Sequence, residues 1–438
     1  MPLIDPLSTT TMNRSCSLAT RFARRTTLPL AVLAVLPVVA RGDLVEDSKA
    51  NLTLRNFYYN HDLRDSVAPA QSKLEEWAQG FIFKGESGYT NGTVGVGFDV
   101  YAGLGIKLDS SPDRSGSALL PGAYKNAGWA RDSDPRSADN FSEATGTIKL
   151  KYSKSELKVG GLFPKIPLVY AGDSRLLPQF FEGAMLDIKE FENVDISLGQ
   201  MRQVNQREFA GTRDIQVGNY YRVFSDRFSY LGGTWRTSAQ TSIGAWTGQL
   251  QDVYQQSLLT GTHTERLGDW TLGGTLNYLD TSESGSALAG NLDSRMVSGI
   301  VSAAHGPHTF RVGYQYNAGS SALPFIHDTD LPGTTNAIQV LRFDRADERS
   351  WQARYDLDFA PLGVPGLAAF ARYVRGDNFK VNGEDGKEWE RNIDISYTLQ
   401  NGPFKGLAMR LRNVELQGDA TGRRDENRLI FAYTLPLL

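Results

Sequence analysis

The sequence predicts an all-β chain closed into a transmembrane antiparallel barrel, and three observations point there. The first is Val94–Leu108, whose even positions (Val94, Val96, Phe98, Val100, Ala102, Leu104, Ile106 and Leu108) are all apolar. Its odd positions are Gly95, Gly97, Asp99, Tyr101, Gly103, Gly105 and Lys107. A strand repeats every two residues, and strands of soluble domains average about 5–6 residues. At about 3.3 Å per residue this run extends about 50 Å, enough to cross a bilayer at barrel tilt. The second observation is that such runs recur to the end of the chain, several with Trp or Tyr at an end of the apolar face. An interfacial aromatic girdle has that pattern. The third is the alternation of short turns with long polar loops, which describes the two rims of an outer-membrane barrel. A soluble sandwich or propeller would use much shorter strands, and the chain shows no propeller period.

In chain order, the first element is a leader. Arg21, Arg24 and Arg25 precede the apolar run Leu28–Ala40, with small residues at Ala40 and Gly42. That run is too short to span as a helix, and its flanks are those of a secretory signal peptide. Cleavage after Gly42 leaves residues 43–438 as one barrel domain. The full chain carries a net charge of −3, and the leader removes Arg14, Arg21, Arg24, Arg25 and Arg41 against a single acid, Asp5. The remainder is more acidic still, which argues against nucleic acid as a partner. The one cysteine, Cys16, lies in the leader, so residues 43–438 can form neither a disulfide nor a thiolate metal site.

The strands follow. Leu52 and Leu54 alternate with Thr53 and Arg55, and Trp77–Gly85 comes before the long run already described. Ile148, Leu150 and Tyr152 alternate with Lys149 and Lys151; Val194, Ile196 and Leu198 alternate with Asp195, Ser197 and Gly199. Trp270, Leu272, Leu276 and Tyr278 share one parity, as do Phe310, Val312, Tyr314 and Tyr316. Trp351–Phe359, Leu367–Tyr373, Ile393–Leu399, Leu407–Glu415 and Arg428–Leu437 complete the set. Ala304–His308 and Asn401–Pro403 are expected as turns. Asp109–Phe141, Pro164–Gly183, Gln203–Ile215, Thr281–Asp293, Ala318–Ala337 and Gly376–Glu388 are expected as long loops. At about 22 residues for each strand and its connection, roughly 16–18 strands result, and barrels of that size enclose a water-filled channel.

If the apolar parity meets lipid, the other parity lines the lumen. It carries Arg55, Lys107, Lys149, Lys151, Arg311, Arg354, Arg372, Arg410, Arg412 and Arg428. Closure brings the last strands against the first, so Arg410, Arg412 and Arg428 are expected to converge with Arg55 and Arg64. A line of guanidinium groups in a narrow pore is a track for an anion, because Arg pairs bidentately with carboxylates. The competing reading is structural, with these arginines paired to lumen acids such as Asp356, Asp358 and Asp394. Phe163–Glu182 holds three prolines and much apolar surface, awkward on an exposed loop. Folded inward, it is a constriction with Lys165, Tyr170, Asp173, Ser174 and Arg175 at its polar positions. Enzymatic readings find little support: His61, His263, His305, His308 and His327 are expected in turns or loops, and no G-x-S-x-G, H-E-x-x-H or phosphate loop is present. No catalytic residue, metal ligand or cofactor is assigned.

Several segments carry a resemblance to a known family. They are EDSKANLTLRNFYYNHDLRD (46–65), WAQGFIFKGESGYTNGTVGVGFDVYAGLGIKLD (77–109), GDSRLLPQFFEG (172–183), ERSWQARYDLDFAPLGVPGLAAFARYVRGDNF (348–379), GPFKGLAMRLRN (402–413) and DENRLIFAYTLPLL (425–438). The chain resembles the OprD-type substrate-specific porins of Gram-negative outer membranes, also called outer-membrane carboxylate channels. The resemblance implies an 18-stranded barrel, a monomer or weak homotrimer among outer-membrane lipid and lipopolysaccharide. It also implies passive uptake of small carboxylate-bearing nutrients along a basic ladder, past a constriction of the third and seventh loops. Arg64, Arg410, Arg412 and Arg428 match ladder positions; Gly172–Gly183 matches the third loop and Ala318–Arg349 the seventh. In the seventh loop, Arg342 before Phe343 and the opening segment lean towards aromatic or other organic acids. Asp328, Asp330 and Asp344 keep a basic-amino-acid channel as the alternative. A barrel-embedded hydrolase or a surface-binding protein is the alternative of another class.

Overall fold

A run of period two becomes a stable wall only where each strand is paired on both sides, because hydrocarbon supplies no water to an open edge. The computed structural model describes residues 43–67, 71–122, 134–218, 220 and 222–438. There this demand is met by an 18-stranded antiparallel sheet closed on itself. The strands are β1 Lys49–Asp62, β2 Lys73–Glu86, β3 Gly95–Asp109, β4 Asn140–Tyr152, β5 Ser155–Leu162 and β6 Phe180–Ile188. Next come β7 Val194–Asn205, β8 Phe228–Arg236, β9 Thr241–Leu250, β10 Tyr254–Leu267, β11 Trp270–Glu283 and β12 Asp293–His305. The last are β13 His308–Ala318, β14 Arg349–Asp358, β15 Leu367–Val381, β16 Glu384–Thr398, β17 Ala408–Gly418 and β18 Gly422–Pro436. Each pairs with its chain neighbours, and β18 closes on β1 in a register running from Asn51↔Pro436 to Asp62↔Asp425. The leader expected over residues 1–42 lies outside the described residues.

The apolar parity faces outward. Val96, Phe98, Val100, Leu104 and Leu108 of β3 are exposed, as are Leu276, Val301, Val312, Ile395, Leu411 and Leu429 elsewhere on the wall. Exposed apolar side chains in this number are tolerable only against lipid. Aromatic rings bracket the belt. Tyr152, Trp235 and Trp270 lie near the turn rim, while Trp77 and Trp351 lie towards the loop rim. There Tyr373 packs between Trp351 (5.6 Å) and Trp389 (5.9 Å).

Connections after odd-numbered strands, L1 to L9, lie on the rim opposite both chain ends. L2 (110–139), L3 (163–179), L4 (206–227) and L7 (319–348) are long. The expected long loop Gly376–Glu388 is not one. β15 and β16 continue through it to a turn at Asn382 (φ 52°) and Gly383 (φ 90°). Two successive positive φ values make the hairpin turn that Asn-Gly favours, so the polar residues there are strand beyond the membrane. Similarly, β11 continues to Glu283 before turning.

The buried core lies inside the barrel. One cluster joins Phe57, Tyr59, Tyr101, Leu119, Leu120, Leu176, Leu177 and Phe180; a second gathers Phe181, Met201, Phe228, Tyr254, Leu323 and Ile326. The inward-folded loops L2, L3, L4 and L7 supply much of both, and they fill a lumen that strand side chains alone would leave open.

Candidate functional site

L3 is positioned by what the opposite wall lacks. Leu176 and Leu177 lie against β2 and β3 where glycine leaves room: a Cβ on Gly80 would stand 3.2 Å from the Leu176 carbonyl oxygen, and one on Gly105 2.9 Å from Leu176 Cδ2. Arg55 of β1 then clamps the loop. Its Nη1 donates to Asp173 Oδ1 (2.7 Å) and to the carbonyls of Arg175 (2.9 Å) and Leu176 (3.3 Å). Pro164 precedes, and Pro167 starts the turn of, a small hairpin, Lys165–Ile166 with Val169–Tyr170.

L7 reaches L3 from the other side. Asp330 N donates to the Tyr170 carbonyl at 2.9 Å, and Gln179 Nε2 donates to the His327 carbonyl at 2.8 Å. L4 completes the junction through Arg207, whose guanidinium donates to both Asp328 of L7 and Ser174 of L3. Burial alone would raise Asp328, but Arg207 and His327 hold its carboxyl below the usual range. Beside it, burial first and then the Asp328 charge push Glu208 up to about 8. Of this neighbouring pair, one carboxyl keeps the charge and the other the proton. Glu208, His327 and Asp328 bring ligand-type atoms within 4.8 Å of one another; Arg207 on Asp328 makes the cluster an ion-pair junction. Between L3 and L7 a space of about 380 Å³ is lined by Tyr170, Asp330, Leu331, Ile338 and Arg342.

Facing this constriction, β13 to β18 carry the arginines in register. Arg311 stands opposite Arg354, and Arg354 opposite Arg372. Arg372 pairs with Asn392, and Arg412 pairs with Asp394 on one side and Arg428 on the other. Arg428 in turn faces Tyr59 across the seam. Like charges directly opposed across strands repel, so each must be offset. Asp356 accepts from Arg311 and from Arg354 (2.6 Å). Asp394 accepts from Arg410 (2.8 Å) and Arg412 (2.6 Å). Arg372 donates to Asn392 Oδ1 (2.8 Å), and Glu426 takes Arg428 (2.7 Å). Five of the six arginines thus share three carboxylates, Arg372 has the Glu390 carboxylate nearby, and the row keeps a positive excess. The lysines of the other arc differ: Lys149 holds Asp99 (2.6 Å) and Lys107 holds Asp139 (2.6 Å), one to one.

The expected residues do not all sit together. Arg354, Arg372, Arg410 and Arg412 line the row, and below them a space of about 430 Å³ is bounded by Arg354, Asp356, Asp394 and Arg410. Arg428 is only 2% exposed, tied to Glu426 and lying over the Tyr59 ring at 5.5 Å. It supports the wall rather than meeting lumen water. Arg55 is turned onto L3. Arg64 lies outside the row altogether, in L1, 74% exposed and paired with Asp62. In the constriction, Asp173 is exposed, Lys165 lies over the Tyr170 ring at 5.9 Å, and Arg175 lies over Tyr59 at 5.2 Å. Arg342 pairs with buried Asp344 (2.8 Å) and covers Phe325 (4.5 Å). Sequence reading passed over Arg207, Glu426 and Tyr59. Arg207 sits in an aperiodic loop and carries no local signal, whereas Glu426 shares the inward parity of Arg428 and was legible.

Comparison with known proteins decides the lineage. The profile of outer membrane porins of the OprD family matches residues 42–437. The chain belongs to the OprD family of outer membrane porins. It is 39% identical to the porin-like protein GalP of Pseudomonas putida, over 94% of this chain and 99% of that protein. The solved structure of Pseudomonas aeruginosa OccK9 (OpdG) superposes with a TM-score of 0.86 at 43% identity, covering 90% of this chain and 100% of that one. OpdK of the same organism, solved with vanillate, gives 0.84 at 40% identity over the same shares. This OprD-family porin is therefore a channel of the outer membrane, not an enzyme. Its loop rim faces outward and its turn rim the periplasm.

Proposed function

We propose that this porin takes up small carboxylate-bearing nutrients, aromatic and other organic acids in particular, by passive diffusion. The observation that carries the reading is the charge excess of the row, with Arg311, Arg354, Arg372, Arg410 and Arg412 set against Asp356, Asp394 and Glu390. An anion in a narrow, partly desolvated pore gains from each guanidinium in turn. Because every arginine except Arg372 also keeps a carboxylate partner, no single station holds the substrate tightly, and release to the periplasm stays fast. OpdK, the relative solved with vanillate, supports the same substrate class for this chain. The exposed Asp173 and Asp330 of the constriction favour a second reading, a channel for basic amino acids, whose ammonium would meet these acids while its carboxylate meets the row. Uptake into proteoliposomes separates the two. Benzoate entering faster than arginine is the expected result, and arginine entering while benzoate is excluded would overturn it.

A further inference from the structure

The row begins behind Tyr59, and on the outer side of the same ring lies a cavity that the track does not use. It measures about 210 Å³ and is walled by Leu74, Leu120 of L2 and Phe209 of L4, with Arg175, Arg213 and Glu208 among its polar groups. We propose that this cavity is a holding site for the apolar body and carboxylate of an organic acid, occupied before the substrate passes the constriction. The proposal rests on the organic-acid reading above and extends it to named residues.

Three features make it a binding site rather than a gap between loops. First, its walls are fixed before any ligand arrives. Arg213 exchanges both backbone hydrogen bonds with Val204 (2.9 and 3.0 Å), Gln206 Nε2 donates to Gln216 Oε1 (2.7 Å), and Arg175 Nε donates to the Ser117 carbonyl (3.1 Å). Pre-formed walls spare a ligand the cost of ordering them. Second, its chemistry is two-sided. The Arg213 guanidinium lies over the Phe209 ring at 3.3 Å, which orients a planar cation beside an apolar face. A carboxylate can take this fork while its ring or chain lies against Leu74 and Leu120. Third, Glu208 Oε2 is buried and finds no hydrogen bond among the described residues. A buried polar atom left without a partner is costly. Glu208, held protonated by burial and by Asp328, is a donor, and a ligand carboxylate is the acceptor it lacks. Neither acetate, which has no apolar body, nor a basic amino acid, whose ammonium would face Arg175 and Arg213, fits this combination.

The site also adjoins the wall at which the row begins. Arg175 (5.2 Å) and Arg428 (5.5 Å) both lie over the Tyr59 ring.

The test measures half-saturating concentrations for uptake of benzoate and of acetate into proteoliposomes, for the full chain and for Phe209→Ala and Arg213→Gln, with folding checked by heat-modifiable gel mobility. The expected result is a several-fold rise in the benzoate value relative to acetate in both variants. A benzoate-to-acetate ratio unchanged from wild type in folded variants overturns the holding site and leaves the organic-acid channel standing. A wild-type protein that passes neither acid overturns the channel reading and the site with it.

Discussion

Asp394 shows how finely the row is balanced, since one carboxylate serves both Arg410 and Arg412. Replacing Asp394 by Asn removes a charge while keeping shape and one acceptor. Anion preference, read as reversal potential across a salt gradient, should rise; a fall would show that Asp394 organises the arginines more than it screens them. Replacing Arg410 and Arg412 together by Ala should lower the same preference, and an unchanged reversal potential would remove them from the track. Glu208 behaves differently because its charge depends on pH. Burial and the Asp328 charge raise its folded pKa to about 8, above the roughly 4.3 of an exposed Glu. The native junction therefore holds a proton that the unfolded chain gives up first. Stability from this group is complete below the unfolded value and is lost as pH rises through the folded one. Asp328, Arg207, Arg175, Arg213 and His327 face it; burial holds His327 below its ordinary value, so its contribution to stability changes with pH in the opposite sense and is common to wild type and variant. Glu208→Gln cannot acquire the charge. Its melting temperature should gain on wild type between pH 6 and pH 9, and a constant difference would contradict the assignment.

Among elements, L3 and the strands it touches were largely readable in sequence. The glycines at odd positions of Val94–Leu108 leave room on the inner wall, and Leu176 fills it beside Gly80 and Gly105. Valine at Gly105 would push Leu176 and Phe141 aside; overpacking of this kind costs about 1–3 kcal/mol. Single-channel conductance should rise as L3 loosens, and an unaltered conductance would show that the wall tolerates the methyls. What the sequence hid has a common cause. Period two states which side of a wall a residue occupies, but says nothing about a residue that leaves the wall. Arg64 follows the last strand residue of β1 by two positions and so is not bound by the strand's parity. Arg428 obeys the parity, yet Gln339 of L7 reaches its partner Glu426 (2.7 Å) and helps close it off. The Asn382-Gly383 hairpin was misread for a simpler reason: polar strands beyond the membrane look like loop when hydropathy is the guide, although the turn signature was present.

For the whole molecule, no cysteine follows Cys16, so a closed ladder and an apolar belt must supply what disulfides supply elsewhere. Closure leaves no edge, and the seam is as continuous as the rest of the wall, with Thr53 and Thr434 hydroxyls 2.9 Å apart across it. The belt is then the main tie to the membrane, and its contribution should depend on depth. Val301 of β12 stands opposite Gly274 and Val312, midway along the apolar outer face, and is 63% exposed. Trp270 starts β11 at the turn rim. Arginine at a bilayer midplane costs about 2–4 kcal/mol and near an interface about 0–1 kcal/mol. Val301→Arg should therefore lower unfolding free energy in lipid vesicles by an amount in the first range. Trp270→Arg should lose less, because the guanidinium reaches headgroup water from there. Equal losses at the two positions would mean that the outward face of this barrel is not lipid-facing along its whole height, and the placement of the belt would have to change.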